Sequence, residues 1–153
     1  MIVVNTTFRA ALWADALFAI DANWWERYIE EVRRDFLGAT YSSNDFHGLV
    51  GVVPKPFKAF GNSGSGAIAL AAKAGASRVL MLGYDGRAAG ARVHWHGDHP
   101  AGLGNAGSMP KWDGQFRELR DSLARLQIVN ASRATALEMF PRVDLARALE
   151  AVT

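Results

Sequence analysis

The stretch His94-Trp95-His96-Gly97-Asp98-His99 gathers three of the chain's four histidines and one aspartate into six positions. Imidazole nitrogens and a carboxylate at this spacing suit two kinds of chemistry: holding a divalent metal, zinc above all, or serving as a general base near neutral pH. The fourth histidine, His47, is a conceivable further metal partner. The chain has no cysteine, so neither a thiolate ligand nor a cysteine nucleophile is available. A second stretch, Gly61-Asn62-Ser63-Gly64-Ser65-Gly66, suggests anion binding. Glycines ahead of a helix leave backbone N–H groups to face a phosphate, and the helix dipole adds partial positive charge there. The same residues also suit a tight turn in which Asn62 or Ser63 simply caps the helix.

The elements that must carry these groups alternate between strand and helix. Ile2 to Asn5 and Leu17 to Ile20 read as strands, the second ending at Asp21. Trp24, Trp25, Tyr28, Ile29 and Val32 recur at three-to-four spacing between Asn23 and Phe36, which predicts an amphipathic helix. Adjacent on that helix, Trp24 and Trp25 cannot share a face, so one is expected in the core and the other at its edge. Ala39 to Ser43 and Leu49 to Val53 predict two short strands, the latter stopped by Pro54 and Pro56; the stretch between them is the least legible. Ala67 to Ala74 predicts a small-residue helix ended by Gly75, and Arg78 to Asp85 a buried strand with its turn. A glycine-rich loop from Gly86 to Met109 carries the histidines, and its length suggests a lid over a ligand. Pro110 opens a helix with Trp112, Phe116, Leu119, Leu123 and Leu126 on one stripe. Ile128 to Asn130 closes the strands, and Val143 to Val152 forms the last helix.

This alternation predicts an α/β protein: one domain over residues 1–153, with a three-layer, doubly wound (Rossmann-like), mainly parallel sheet and helices on both faces. In such sheets ligands bind beyond the carboxyl ends of the strands. Asn5, Asp21, the 61–66 segment, Asp85 and Asn130 all fall at such ends. Asp85 could equally anchor the following turn.

Composition narrows the function classes. Half of the 153 residues are apolar and 21% are charged, which is globular. Lys and Arg number 17 against 15 Asp and Glu, and the basic residues form no stripe, so a nucleic-acid partner is not expected. No apolar run reaches bilayer length, and the N-terminus lacks a signal-peptide layout, so a cytoplasmic protein without a membrane span is expected.

Three segments, "VVNTTFRAALWADALFAID", "GNSGSGAIALAAKAGASRVLMLGYD" and "NASRATALEMFP", resemble in that order segments of a group of uncharacterised phage-encoded proteins. More remotely they are similar to the bacterial family 42 sialyltransferases and the motility-associated flagellin glycosylation factors. The resemblance covers most of the chain and implies a sialyltransferase-like nucleotide-binding domain, in the host cytoplasm if phage-encoded. It implies a nucleotide or nucleotide-sugar ligand, CMP-linked in the sialyltransferases, held by Asn5, Asp21, Asn62, Ser63 and Gly64, with Asn130 at a further strand end. Asp85 would then face the sugar, and His94, His96 or His99 would act as base, with no metal required.

Two other classes stay open. One is non-catalytic binding of a nucleotide or sugar phosphate. The other is a metal-dependent hydrolase: His94, His96, Asp98, His99 and Gly102 fit HxHxDHxxG, the string with which metallo-β-lactamase-type enzymes hold two zinc ions. Those enzymes complete their zinc shells with histidines and an aspartate further downstream, and no histidine follows His99 here. Zinc bound as a single ion by His94, His96, Asp98 or His99 is a further alternative. The sequence does not indicate an oligomeric state.

Overall fold

The computed structural model describes residues 1–45, 51–87, 103, 107 and 109–150. His47, His94, His96, Asp98, His99 and most of the expected lid lie outside the described residues. The chain is mixed α/β with parallel sheets and falls into two compact units, one drawn mainly from Met1–Ala71 and one from Ala72 onward. Among the described residues no helix is long and apolar enough to cross a membrane.

The first unit is built on a four-stranded sheet in the order β1 (Ile2–Val4), β2 (Ala16–Phe18), β3 (Ala39–Ser42) and β4 (Val52–Pro54), every pair parallel. Residues of a strand point alternately to its two faces, and the partition is visible in β1 and β2. Val3, Leu17 and Ala19 pack with Phe8 and with Trp24, Trp25, Tyr28, Ile29 and Val32 of α1 (Ala22–Asp35). Phe18, together with Ile2, Val4 and Ile20, packs on the opposite side with Ala67 and Leu70 of α2 (Ser63–Lys73). Phe8, Leu17 and Phe18 are wholly buried, and side chains of this kind contribute about 1.5–3 kcal/mol each.

Several elements differ from the sequence expectation. A six-residue 3-10 helix, Asn5–Ala10, follows β1 directly; its NTTFRA sequence carries no helical period to announce it. The second strand is shifted to Ala16–Phe18 because Ile20 leaves the ladder and gives its N–H to the Ser63 hydroxyl. The fourth strand reaches Pro54 rather than stopping before it. A proline is tolerated there because β4 is an edge strand, and the ladder continues through the Lys55 N–H to the Ser42 carbonyl. Both tryptophans are buried, Trp24 donating to Thr6 Oγ1 at 3.2 Å and Trp25 to the Ala19 carbonyl at 3.1 Å. Their rings meet edge to face at 5.0 Å, so neither lies open at the edge of the core.

The second unit pairs β5 (Arg78–Met81) in parallel with β6 (Gln127–Asn130), joined through α3 (Met109–Ser122) and followed by α4 (Leu145–Glu150). Phe116 and Leu119 form the buried stripe of α3. The helix stops at Ser122, before the expected Leu123 and Leu126. Phe116 stacks edge to face with both Tyr84 and Phe140.

Candidate functional site

The glycine-serine segment at 61–66 is the entrance of α2 itself rather than a loop before it, with helix from Ser63 onward. Asn62 is the cap: its Oδ1 accepts the Ser65 N–H at 2.8 Å and its carbonyl accepts the Gly66 N–H at 3.0 Å. A side-chain oxygen holding the third helical N–H is the arrangement an N-cap requires. The Ser65 hydroxyl, fully buried, donates to the Ala59 and Asn62 carbonyls. The Ser63 hydroxyl accepts the Ile20 N–H at 3.1 Å and so fixes the helix start to the end of β2. Gly66 allows the close approach: a Cβ there would stand 2.4 Å from Phe18 Cε1. Asn62 and Ser63 are thus brought together with the end of β2, each bonded within the protein.

Asp21 follows at the same strand end as the residue preceding α1. Its carboxylate makes no capping bond to the helix, and desolvation raises its pKa above the usual carboxylate value. Asn44 was not singled out in the sequence, although Ser42-Ser43-Asn44-Asp45 is a run of turn-forming residues. It closes the edge from the β3 side: its Nδ2 donates to the Ile20 carbonyl at 3.2 Å, and its N–H reaches Ser42 Oγ at 3.3 Å.

One strand over, Asn5 sits at the carboxyl end of β1 with φ of +48°. A non-glycine residue in the left-handed region is uncommon, and asparagine is among the few that tolerate it. Its Oδ1 is buried and has no hydrogen-bond partner among the described residues. An unpaired buried acceptor costs about 1–3 kcal/mol. Strain and an orphaned polar atom therefore coincide on one residue at the edge where ligands of α/β sheets bind.

In the second unit, Asn130 is fully buried at the end of β6 and its amide is satisfied from within. Nδ2 donates to the Tyr84 carbonyl and to Thr135 Oγ1, each at 3.1 Å, and Oδ1 accepts the Ser132 N–H at 3.0 Å. It braces two loops. Burial pushes the phenol of Tyr84 well above its ordinary pKa. Asp85 is exposed beyond β5, and its carbonyl accepts the Ala136 N–H at 2.7 Å. It lines an open cleft of about 740 Å³ with Ser132, Arg133, Arg142 and Asp144. Those four were not anticipated as a group, because nothing in their spacing announces that the segment after Phe140 returns alongside β6.

Among the described residues no three His, Asp or Glu side chains are placed to hold a metal ion; the histidine-rich stretch lies outside them. No family model, no curated protein and no solved structure matches the chain.

Proposed function

We propose that the four-stranded unit is a Rossmann-like nucleotide-binding fold that takes a nucleoside monophosphate or nucleotide sugar at its carboxyl edge, as the likeness to family 42 sialyltransferases implies. The observation that carries this reading is Asn5. A buried acceptor on a strained residue seeks a donor, and a nucleobase amino group or a sugar hydroxyl supplies one, whereas a phosphate does not. The phosphate fits better at the start of α2, where the dipole favours negative charge. Asn62 already occupies the Ser65 and Gly66 N–H groups, so the anion would meet the earlier part of the turn. Asp21, on the neighbouring strand end, is suited to accept a ribose hydroxyl.

Non-catalytic binding is the second reading. It asks of the edge only that it hold a ligand, and the orphaned acceptor of Asn5 serves that without a catalytic base. Turnover separates the two readings: a cytidine nucleotide sugar recovered intact after hours with the protein removes the transferase.

The test of binding itself is a thermal-shift panel of cytidine and uridine monophosphates and their sugar conjugates. A ligand at 100 times its Kd adds about 2.7 kcal/mol to stability. Asn5→Gly should be neutral or stabilising without ligand, since it removes both the left-handed strain and the orphaned oxygen. It should also lose the ligand-induced shift. If no nucleotide shifts the wild type, or if Asn5→Gly retains the full shift, the reading fails.

A further inference from the structure

The second unit carries a feature independent of the nucleotide reading. Two arginines and two aspartates, Arg133, Arg142, Asp85 and Asp144, line one open cleft beyond the carboxyl ends of β5 and β6. All four are exposed. Elsewhere on the surface, opposite charges pair readily: Arg117 with Asp113, Arg120 with Asp121, Arg34 with Asp35. Among the described residues no ion pair joins the four charges of the cleft. Arg142 instead donates from Nη2 to the Arg133 carbonyl at 2.8 Å, and Asp144 Oδ1 accepts the Arg147 N–H at the start of α4.

The backbone fixes the chain positions that carry these charges. Asn130 N–H bonds the Pro141 carbonyl and its own carbonyl accepts the Val143 N–H, so Arg142 is fixed in a bridge directly beside Asn130. The Asn130 side chain meanwhile holds the Ser132 N–H, one residue before Arg133, and the Tyr84 carbonyl, one residue before Asp85. Ser132 Oγ takes the Tyr84 N–H at 2.8 Å. One buried asparagine thus sets three of the four charged positions. Guanidinium groups kept from carboxylates recognise phosphate through several parallel N–H bonds. Carboxylates that lack a cationic partner accept hydroxyl donors. Leu82 and Leu145, both exposed at the same cleft, offer apolar surface to the C–H face of a ring.

We infer that this cleft binds a small phosphorylated sugar: its phosphate on Arg133 and Arg142, its hydroxyls on Asp85 and Asp144, with Asn130 as the positioning residue. The proposal is tested by calorimetric titration of the full chain with ribose 5-phosphate, inorganic phosphate and ribose. Ribose 5-phosphate should bind more tightly than inorganic phosphate, and ribose more weakly than either. Arg133→Gln and Arg142→Gln should each weaken the sugar phosphate about tenfold, the loss of one charge-assisted contact, and the double variant should show no binding. Since both side chains are exposed, these variants should keep the wild-type circular dichroism. Asp85→Asn should weaken ribose 5-phosphate and leave inorganic phosphate unchanged. Absence of ribose 5-phosphate binding, or unchanged binding by the double arginine variant, overturns the site. Inorganic phosphate bound as tightly as ribose 5-phosphate overturns the role given to the two carboxylates.

Discussion

The hydroxyl of Ser63 accepts the backbone N–H of Ile20 across 43 residues of sequence, and that single bond ends β2 and places the start of α2 beside it. The N–H would otherwise continue the ladder or lie unpaired. Ser63→Ala should therefore destabilise the protein by about 1–2 kcal/mol, the cost of stranding a part-buried donor. Asn62→Ala should cost about 1 kcal/mol through loss of the cap. Urea unfolding of the two variants and of the double variant checks both, with coupling expected because the residues share one helix turn. A neutral Ser63→Ala would show that the bond contributes nothing.

The same substitution should have opposite signs at two helical glycines. At Gly66 a new Cβ would press on the Phe18 ring at 2.4 and 2.8 Å, and Phe18 is wholly buried, so neither can yield cheaply. Gly66→Ala should cost about 1–3 kcal/mol by overpacking. Gly114, inside α3, has nothing within 4 Å of its would-be Cβ. Gly114→Ala should stabilise by about 0.5–1 kcal/mol through helix propensity. Denaturation midpoints of the two variants decide the matter, and equal shifts would contradict the close packing of α2 on the sheet.

Asn130 should be the least replaceable polar residue of the second unit. Its truncation to alanine leaves the Ser132 N–H without its acceptor and the Tyr84 carbonyl with only the Thr135 hydroxyl, which donates at 2.8 Å. Two or more buried groups are affected at once, and a loss of about 2–4 kcal/mol is expected. Asn130→Asp keeps the shape but exchanges a double donor for an acceptor facing the Tyr84 carbonyl, so it should not rescue stability. Full stability in either variant would remove Asn130 as the brace of these loops.

The alternation of elements was legible because it rests on local patterns. The three-to-four spacing of Trp24, Tyr28, Ile29 and Val32 is intrinsic to α1, and the apolar run at 79–82 to β5. What was not legible depends on partners distant in sequence. Ile20 reads as strand by composition, yet Ser63 draws it out of the ladder. Asn62 or Ser63 reads as a helix cap, and Asn62 is the cap, yet the close approach of Gly66 to Phe18 involves a partner distant in sequence. Asn130 reads as a polar strand end and ends β6, but its bonds to Tyr84 and Thr135 come from loops whose path no local pattern encodes. The cleft charges are a stronger case, since Arg142 reaches Asn130 only through a backbone bridge. Positions at strand ends are legible in the sequence; positions brought together by returning loops are not.

Acid stability should carry the signature of one ion pair. Arg9, in the 3-10 helix, donates from Nε and Nη2 to the two carboxylate oxygens of Glu31 on α1, each at 2.6 Å, and its guanidinium lies 5.3 Å from the Tyr28 ring centre. Hydrogen bonding to Arg9 holds the Glu31 carboxyl below its ordinary value of 4.5. The folded state thus binds the proton less readily than the unfolded chain. The stabilisation is fully present above the ordinary value and is lost as pH falls through the depressed one. At neutral pH the pair should contribute about 0.5–1 kcal/mol, since the guanidinium is partly exposed. Glu31→Gln should cost that amount at pH 7, and the difference from wild type should shrink as unfolding is followed by urea from pH 5 toward pH 2. Arg9→Ala should cost more at pH 7 and keep a residual deficit at low pH, because it also removes the contact with Tyr28. A Glu31→Gln deficit that stays constant across this range would show that the pair does not contribute to the acid limb.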